Sequence, residues 1–397
     1  LALSKATWND SPSRKAFCFL DEQSKDREPR DLRPSVGNEV YLRLTRRIVI
    51  FVPSTERDER FMRVALGEAR RAIGLTSPNP AVGAVLVVGG RIVARGHHQK
   101  AGGPHAEIAC LRQMTGAIPK SAILYVTLEP CSTAGRTPPC IEEIIKARVK
   151  IVVVGTLDVN PRHAGRGIEL LRNAGIKVRV GVSAGECAAL NESFNKWIAT
   201  GRPFVIAKCG MSLDGRLTRP SGESQWITNA AMRHHAHELR ANVDAILVGA
   251  ETVRTDNPRL TVRGRRGKKQ PWRVVLSRSG RLPRQAHIFS DRFAKQTVVY
   301  RTQPLDAVLK DLGRKNVTSV LIEGGGEILG QALDQQLIDK VQLYFGPIFA
   351  GGPVFAFSGH GVGSTAAAAR LSRVSYHKIG NDVCVTGYPI YPEAAPR

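Results

Sequence analysis

Apolar positions along the chain change period repeatedly, and each change marks an element. After Thr55, the residues Met62, Ala65, Leu66, Ala69 and Ile73 recur at three- and four-residue steps, which predicts a helix ending at Gly74. AVGAVLVVGGRIVARG then places two β-branched runs around Gly89-Gly90, a pair that accepts the positive φ angles of a tight hairpin turn. Pro104 opens a helical stretch with His105 and Glu107 at its start. AILYVTL predicts a buried strand, and the loop after it carries Cys131. Pro138-Pro139 lead into a second helix, CIEEIIKAR, with Cys140 in its first turn. KIVVVG, a helix over Gly167–Asn173 and IKVRV complete an alternating β/α series. Such alternation predicts a three-layer sandwich whose sheet is at least partly parallel.

A helical segment from Ala184 to about Thr200 leads through Gly201-Arg202-Pro203 into FVIAKCGMSLDG, and a domain boundary is expected there. Beyond it, DAILVG, WRVVLS, QTVVY, TSVLIEGGG and DKVQLYFG alternate with helical stretches, so the second half reads as a separate α/β domain, with no internal repeat of the first. The expected division is a first domain over 56–200 and a second over 201–397. Residues 1–55 show no sustained periodicity and read as a disordered extension or as sequence upstream of the natural start; they hold too many acids for a good transit peptide.

A length of 397 residues allows two or three domains, each with its own core. The net charge of +24 admits nucleic acid, but phosphorylated small molecules, an anionic cofactor or plain solvation explain it equally. RGRRGKKQPWR, from Arg263 to Arg273, lacks the aromatic interleaving of a base-stacking surface and reads as an exposed loop. Seven scattered cysteines do not make a disulfide framework, which suits a reducing compartment. IVIFV, at Ile48 to Val52, is far short of a membrane span. A cytoplasmic chain without nucleic-acid or membrane partners is the expectation, with a homo-oligomer left open.

The chemistry gathers around PHAEIACL and EPCSTAGRTPPC. His105, Cys131 and Cys140 amount to one imidazole and two thiolates, three ligands that leave a fourth tetrahedral position for water, as in catalytic zinc sites. Iron or cobalt would also accept this set. Glu107 lies two residues past the histidine, within reach of a water on the metal without ligating it. Histidine, one residue, glutamate, then proline-cysteine and a later cysteine is the zinc deaminase pattern. Acidifying water from a pKa of about 15.7 to about 7 corresponds to roughly 12 kcal/mol. A positioned proton carrier adds about 3 to 5 kcal/mol. The bland alternative is a core histidine with two small buried thiols.

Most deaminases with this pattern have two residues between the cysteines; this chain has eight. With SPNPAVGAVLV, GGPHAEIACL, VTLEPCSTAGRTPPC, DVNPRHAGRG, KCGMSLDGR, SGESQWIT, DAILVGAETVRTDNPRLTVR and IEGGGEILG in this order, the chain from Glu59 to Gly387 resembles a bifunctional riboflavin biosynthesis family. In that family a diaminohydroxyphosphoribosylaminopyrimidine deaminase is fused to a 5-amino-6-(5-phosphoribosylamino)uracil reductase. The resemblance implies a cytidine deaminase-like sandwich followed by a dihydrofolate reductase-like α/β domain, with zinc and NADPH as cofactors and small phosphorylated pyrimidines as substrates. It also implies that Gly210, Trp226, Thr252, Asp256, Gly324, Gly325 and Gly326 serve the cofactor. The substrate residues would be Asn79, Lys208, Ser224, Arg240, Leu260, Arg263 and Glu323. By itself the Gly324–Gly326 turn is a weak phosphate signal, since the spacing of Gly324, Gly326 and Gly330 does not meet the dinucleotide fingerprint.

Two positions depart from the resemblance. Thr133-Ala134 stand where related loops carry a histidine, so substrate binding would be weaker or would pass to His98 or His163, and Ser277-Arg278 stand where aspartate-serine is common. Two rival readings are an RNA deaminase gripping nucleic acid with its basic second half, and a non-catalytic zinc-stabilised binding protein. Steep salt dependence of RNA binding would mark the first, and absence of ammonia release the second.

Overall fold

A computed structural model describes residues 55–133, 138–217, 226–264 and 269–392. Of the expected extension over 1–55, residues 1–54 lie outside the described residues, and Thr55 belongs to the first helix as its cap.

The first half is built on a five-stranded sheet of order β2-β1-β3-β4-β5. Strands β1 (Gly83–Val88) and β2 (Arg91–His97) form the predicted hairpin, with φ of 57° at Gly89 and 83° at Gly90. β3 (Ile123–Leu128) runs antiparallel to β1, while β4 (Ile151–Thr156) and β5 (Lys177–Val180) continue parallel to β3. Period-two alternation sends Leu86, Leu124, Val126, Val152 and Val154 into one core and Val85, Val87, Tyr125 and Val153 into another. Helices α1 (Glu56–Arg70), α2 (Ala106–Leu111), α3 (Cys140–Lys146) and α4 (Arg166–Asn173) cover the two faces, giving the three layers.

Thr55 caps α1, its hydroxyl accepting from Asp58 N at 3.2 Å. The helix ends at Arg70 rather than Gly74. The chain turns there because it must meet the second half: a Cβ on Gly74 would sit 2.0 Å from the carbonyl oxygen of Ala241. The segment predicted as one helix over 184–200 is two, α5 (Ala184–Leu190) and α6 (Glu192–Thr200). Asn191 breaks it, because its side-chain amide accepts from Ala81 N at 2.8 Å and donates to Ala81 O at 2.9 Å. Satisfying a backbone pair far away in sequence outweighs helical continuity.

The second half holds an eight-stranded sheet of order β12-β13-β11-β6-β10-β7-β8-β9. Five of its strands match the apolar runs: β7 (Ala245–Gly249), β8 (Trp272–Leu276), β9 (Thr297–Tyr300), β10 (Ser319–Ile322) and β11 (Lys340–Gly346). The structure adds β6 (Phe204–Ser212) at the centre and an antiparallel hairpin, β12 (Arg370–Ile379) and β13 (Asp382–Ile390), at one edge. From β11 through β9 all neighbours are parallel. The flanking helices are α7 (Ala230–Arg240), α8 (Ala250–Asp256), α9 (His287–Ser290), α10 (Leu305–Arg314) and α11 (Gly326–Asp334). Both faces are again apolar: Val205, Ala207, Leu247, Val320 and Ile322 on one, Ile206, Ile246, Val248, Val275 and Leu321 on the other.

At the expected boundary Gly201 closes α6 in the left-handed conformation, φ 70°. The halves nevertheless pack as one compact unit. Lys340 Nζ donates to Glu192 at 2.8 Å, Tyr388 Oη to Glu192 at 2.7 Å, and Trp197 Nε1 to Gly313 O at 2.9 Å.

Candidate active sites

Strand β3 delivers Glu129-Pro130-Cys131 at its carboxyl end, and α2 and α3 point their first residues at the same place. His105 is the N-cap of α2, with Pro104 just outside the helix, and Cys140 is the first residue of α3. His105 Nδ1 lies 3.1 Å from Cys140 Sγ and 3.4 Å from Cys131 Sγ, and all three donor atoms fall within 4.8 Å of one another. Tetrahedral bonds of about 2.05 Å to nitrogen and about 2.3 Å to sulfur separate the donors by about 3.6 Å. The set therefore fits zinc after opening by a few tenths of an ångström. Cys110, on α2, is buried and lies outside this group.

The electrostatics match a cation site. The hydrogen bond from Cys140 and then that with His105 push the Cys131 thiol down to about 4, against the effect of burial. The same bond and burial push Cys140 up. Glu107, in the first turn of α2 and 3% exposed, is raised to about 7, by burial first and by Cys131 second.

A cavity of about 380 Å³ opens beside these residues. Asn79, His98, Asp158, Asn160 and His163 line it together with Glu107. His98 is held at both ring nitrogens, Nδ1 at 3.0 Å from Pro104 O and Nε2 at 3.1 Å from Asn79 Nδ2. His163 Nδ1 lies 3.2 Å from Ser132 Oγ. Both stand-ins for the missing loop histidine thus border the cavity, as does Thr133, while Ala134 lies outside the described residues.

Sequence reasoning assigned nothing to Glu129. Its buried carboxylate accepts from Asp158 N at 3.2 Å, Gly165 N at 2.9 Å and Gly167 N at 2.8 Å, holding the 158–167 loop against the site. Only its place in EPC, two residues before a metal ligand, hinted at a role. Nor did the sequence expose the far wall, formed by Phe194, Trp197 and Ile198 of α6 and by Asn316 of the second half.

In the second half, Lys208 and Gly210 sit on β6 and Glu323 follows β10. Arg240 and Glu323, both expected to meet substrate, meet each other: Nε donates to Oε1 at 2.6 Å and Nη2 to Oε2 at 2.7 Å. Burial alone would raise Glu323, but the Arg240 charge and its hydrogen bonds bring it down to about 2. Arg263 is exposed, with Nη2 3.0 Å from His237 Nε2. Leu260 is 2% exposed and packs in the core with Val253 and Ile288. Trp226 is 64% exposed, with the Arg233 guanidinium 4.9 Å from its ring centre. Asp256 ends α8 on the surface, and it is Asn257 that accepts from His287 N at 2.8 Å. Ser224 lies outside the described residues.

The glycine turn joins β10 to α11. Gly324 has φ 130°, and nothing lies within 4 Å of a Cβ built on it, so the space above the turn is open. A Cβ on Gly325 would lie 3.7 Å from Thr252 Oγ1, which puts Thr252 beside the turn. Gly326 answers a different need, since its Cβ would fall 2.0 Å from Phe355 O. An open turn at the start of a nine-residue helix fits a phosphate of a dinucleotide.

Comparison with known proteins agrees with this geometry. Residues 55–156 match the zinc-binding region of cytidine and deoxycytidylate deaminases, and 203–385 match the RibD C-terminal domain. The riboflavin biosynthesis protein RibD of Synechocystis sp. is 40% identical over 359 residues, covering 83% of this chain and 96% of its own length. The chain belongs to the RibD family. RibD of Escherichia coli is 37% identical, with 83% of this chain and 98% of that protein covered. Among solved structures, RibD of Acinetobacter baumannii aligns with a TM-score of 0.78 at 37% identity, over 84% of this chain and 99% of that one. A Thermotoga maritima protein described as a diaminohydroxyphosphoribosylaminopyrimidine deaminase/5-amino-6-(5-phosphoribosylamino)uracil reductase aligns at 0.75 and 34% identity, over 84% and 99%. As a RibD family member the chain is a bifunctional enzyme of riboflavin biosynthesis, a zinc-dependent deaminase joined to an NADPH-dependent reductase.

Proposed function

We propose that this chain deaminates 2,5-diamino-6-(5-phosphoribosylamino)pyrimidin-4-one and then reduces the ribosyl group of 5-amino-6-(5-phosphoribosylamino)uracil to ribityl. The observation that carries the reading is the convergence of His105, Cys131 and Cys140 beside Glu107 and next to the cavity. In this reading residues 56–200 perform the first step and 201–397 the second.

His105, Cys131 and Cys140 would hold zinc, which supplies Lewis acidity that makes water nucleophilic near neutral pH. Glu107, its carboxyl at about 7, is suited to take a proton from that water and pass it to the departing amine. The ring gains oxygen and loses ammonia. Asn79, held by His98, presents its amide to the pyrimidine edge. Asp158 and Asn160, on the loop fixed by Glu129, close the opposite side.

In the second site, Gly324, Gly325, Thr252 and Gly210 would hold NADPH, the hydride donor, with Trp226 and Asp256 at its margin. Lys208, Arg263 and Ser224 would bind the phosphoribosyl group. Arg240 and Glu323 act as a fixed pair that keeps the floor of the site charged yet balanced. The sugar gains one hydride and one proton.

Among the described residues no helix is long and apolar enough to cross a membrane. A cytoplasmic enzyme belongs to this reading, to be checked by cell fractionation. Homo-oligomerisation belongs to it too: β12 is an outermost strand and keeps Tyr376 75% exposed, and light scattering of the purified chain would show the second copy. The test of function is paired assays on zinc-loaded protein. Ammonia release from the diaminopyrimidine should need no NADPH, and NADPH oxidation should follow only once the deaminated product is present. Metal-loaded protein inactive in both assays would refute the reading.

A further inference from the structure

The deaminase cavity is not bounded by the deaminase half alone. Asp244 lies at the amino-terminal end of β7, in the reductase half, and is 8% exposed. Its Oδ2 accepts from Thr318 N at 2.8 Å, from Thr318 Oγ1 at 2.7 Å and from Ser77 Oγ at 2.6 Å. Ser77 is the only one of these donors from the deaminase half. It is the second residue of the Thr76–Asn79 turn, which Asn79 N closes on Thr76 O at 2.8 Å.

From that turn a short series of polar contacts reaches the metal ligands. Asn79 Nδ2 lies 3.1 Å from His98 Nε2, and His98 Nδ1 lies 3.0 Å from the carbonyl of Pro104, the residue before His105. The backbones of the two halves touch at the other end of the same segment, where Gly74 meets Ala241. Across the cavity, Trp197 is tied by its indole N–H to Gly313 O, and Asn316 of the reductase half lines the wall beside it.

We propose that Asp244 is a positioning residue for deamination: by holding Ser77 it fixes the turn that sets Asn79 against His98, so the reductase half shapes the deaminase pocket. The inference rests on the reading of Asn79 as a substrate ligand. It assigns Asp244 no contact with either substrate. A carboxylate hydrogen-bonded to three donors is a rigid anchor, and its attachment to the start of β7 ties that anchor to the frame of the second sheet.

Ser77→Ala is the informative substitution, because Asp244 keeps both bonds from Thr318 and no buried charge is stranded. For this variant KM for deamination should rise about tenfold, the loss of one charge-assisted hydrogen bond, with kcat within about twofold. Zinc content and the kinetic constants of reduction should stay as in the parent, with the melting temperature lower by no more than about 4 °C. Ser77→Thr, which restores the hydroxyl, should recover most of the KM. Asn79→Ala, run in parallel, separates the two levels of the argument. A raised KM in Asn79→Ala with an unchanged one in Ser77→Ala overturns the positioning role and leaves Asn79 as a ligand. Unchanged KM in both overturns the reading of Asn79 as well. A parallel fall of both activities with the melting temperature makes Ser77 a structural contact only and also overturns the proposal.

Discussion

In the deaminase half, His105, Cys131 and Cys140 turn their donor atoms on one another, whereas in the reductase half Arg240 and Glu323 satisfy each other through two hydrogen bonds. One cluster is electrostatically incomplete and calls for a cation; the other is closed and needs none. The two clusters also sit differently on their sheets. The zinc ligands gather at the carboxyl end of β3, next to the surface where the halves meet. Glu323 and the Gly324–Gly325 turn lie at the carboxyl ends of the second sheet's strands, while Asp244 and Thr318, which face the deaminase half, lie at the amino ends. One chain thus carries a metal-completed site and a self-balanced site at opposite ends of a shared frame, and loss of the metal from the first should leave the second working.

The strongest way to break that comparison is to remove a zinc donor. Cys131→Ser or His105→Ala should lose bound zinc by elemental analysis and lower deamination by about a thousandfold or more, leaving reduction intact. Glu107→Gln sharpens it: zinc should stay and ammonia release should fall by about a hundred- to ten-thousandfold. Zinc loss in that variant would mean that Glu107 is a ligand rather than a proton carrier. In the other half, Glu323→Gln strands the Arg240 charge in a buried place, and denaturant unfolding should register a loss of about 3 to 5 kcal/mol together with weaker reduction. The smallest effect is on acid stability. Glu323 has a folded pKa of about 2 against an ordinary 4.5, so it supports folding fully above the ordinary value. That support is lost as pH falls from about 4.5 through about 2, and melting curves of Glu323→Gln against the parent should converge across this window.

Local pattern made much of this molecule legible. The hairpin at Gly89-Gly90, the alternating strands and the ligand set all follow from turn chemistry, period and the order of a few residue types. What the sequence hid depends on partners distant along the chain. Asn191 breaks a helix because Ala81 needs its amide, and Glu129 is buried because three amides of the 158–167 loop converge on it. Ser77 and Asp244 are 167 residues apart in the chain, and no periodicity links them. The resemblance gave Arg240 and Glu323 to substrate one by one; that they also pair with each other is a contact between residues 83 apart, which no local pattern carries. Strand β12 escaped notice for another reason: exposed along nearly its whole length, it lacks the apolar alternation of a strand packed on a core.

The most direct test of two activities in one chain is mass spectrometry of the diaminopyrimidine substrate after incubation with zinc-loaded protein, with and without NADPH. Without NADPH, the product should have exchanged one amine for oxygen; with NADPH it should also have gained two hydrogens. Unchanged substrate in both tubes, with zinc bound, would contradict the account.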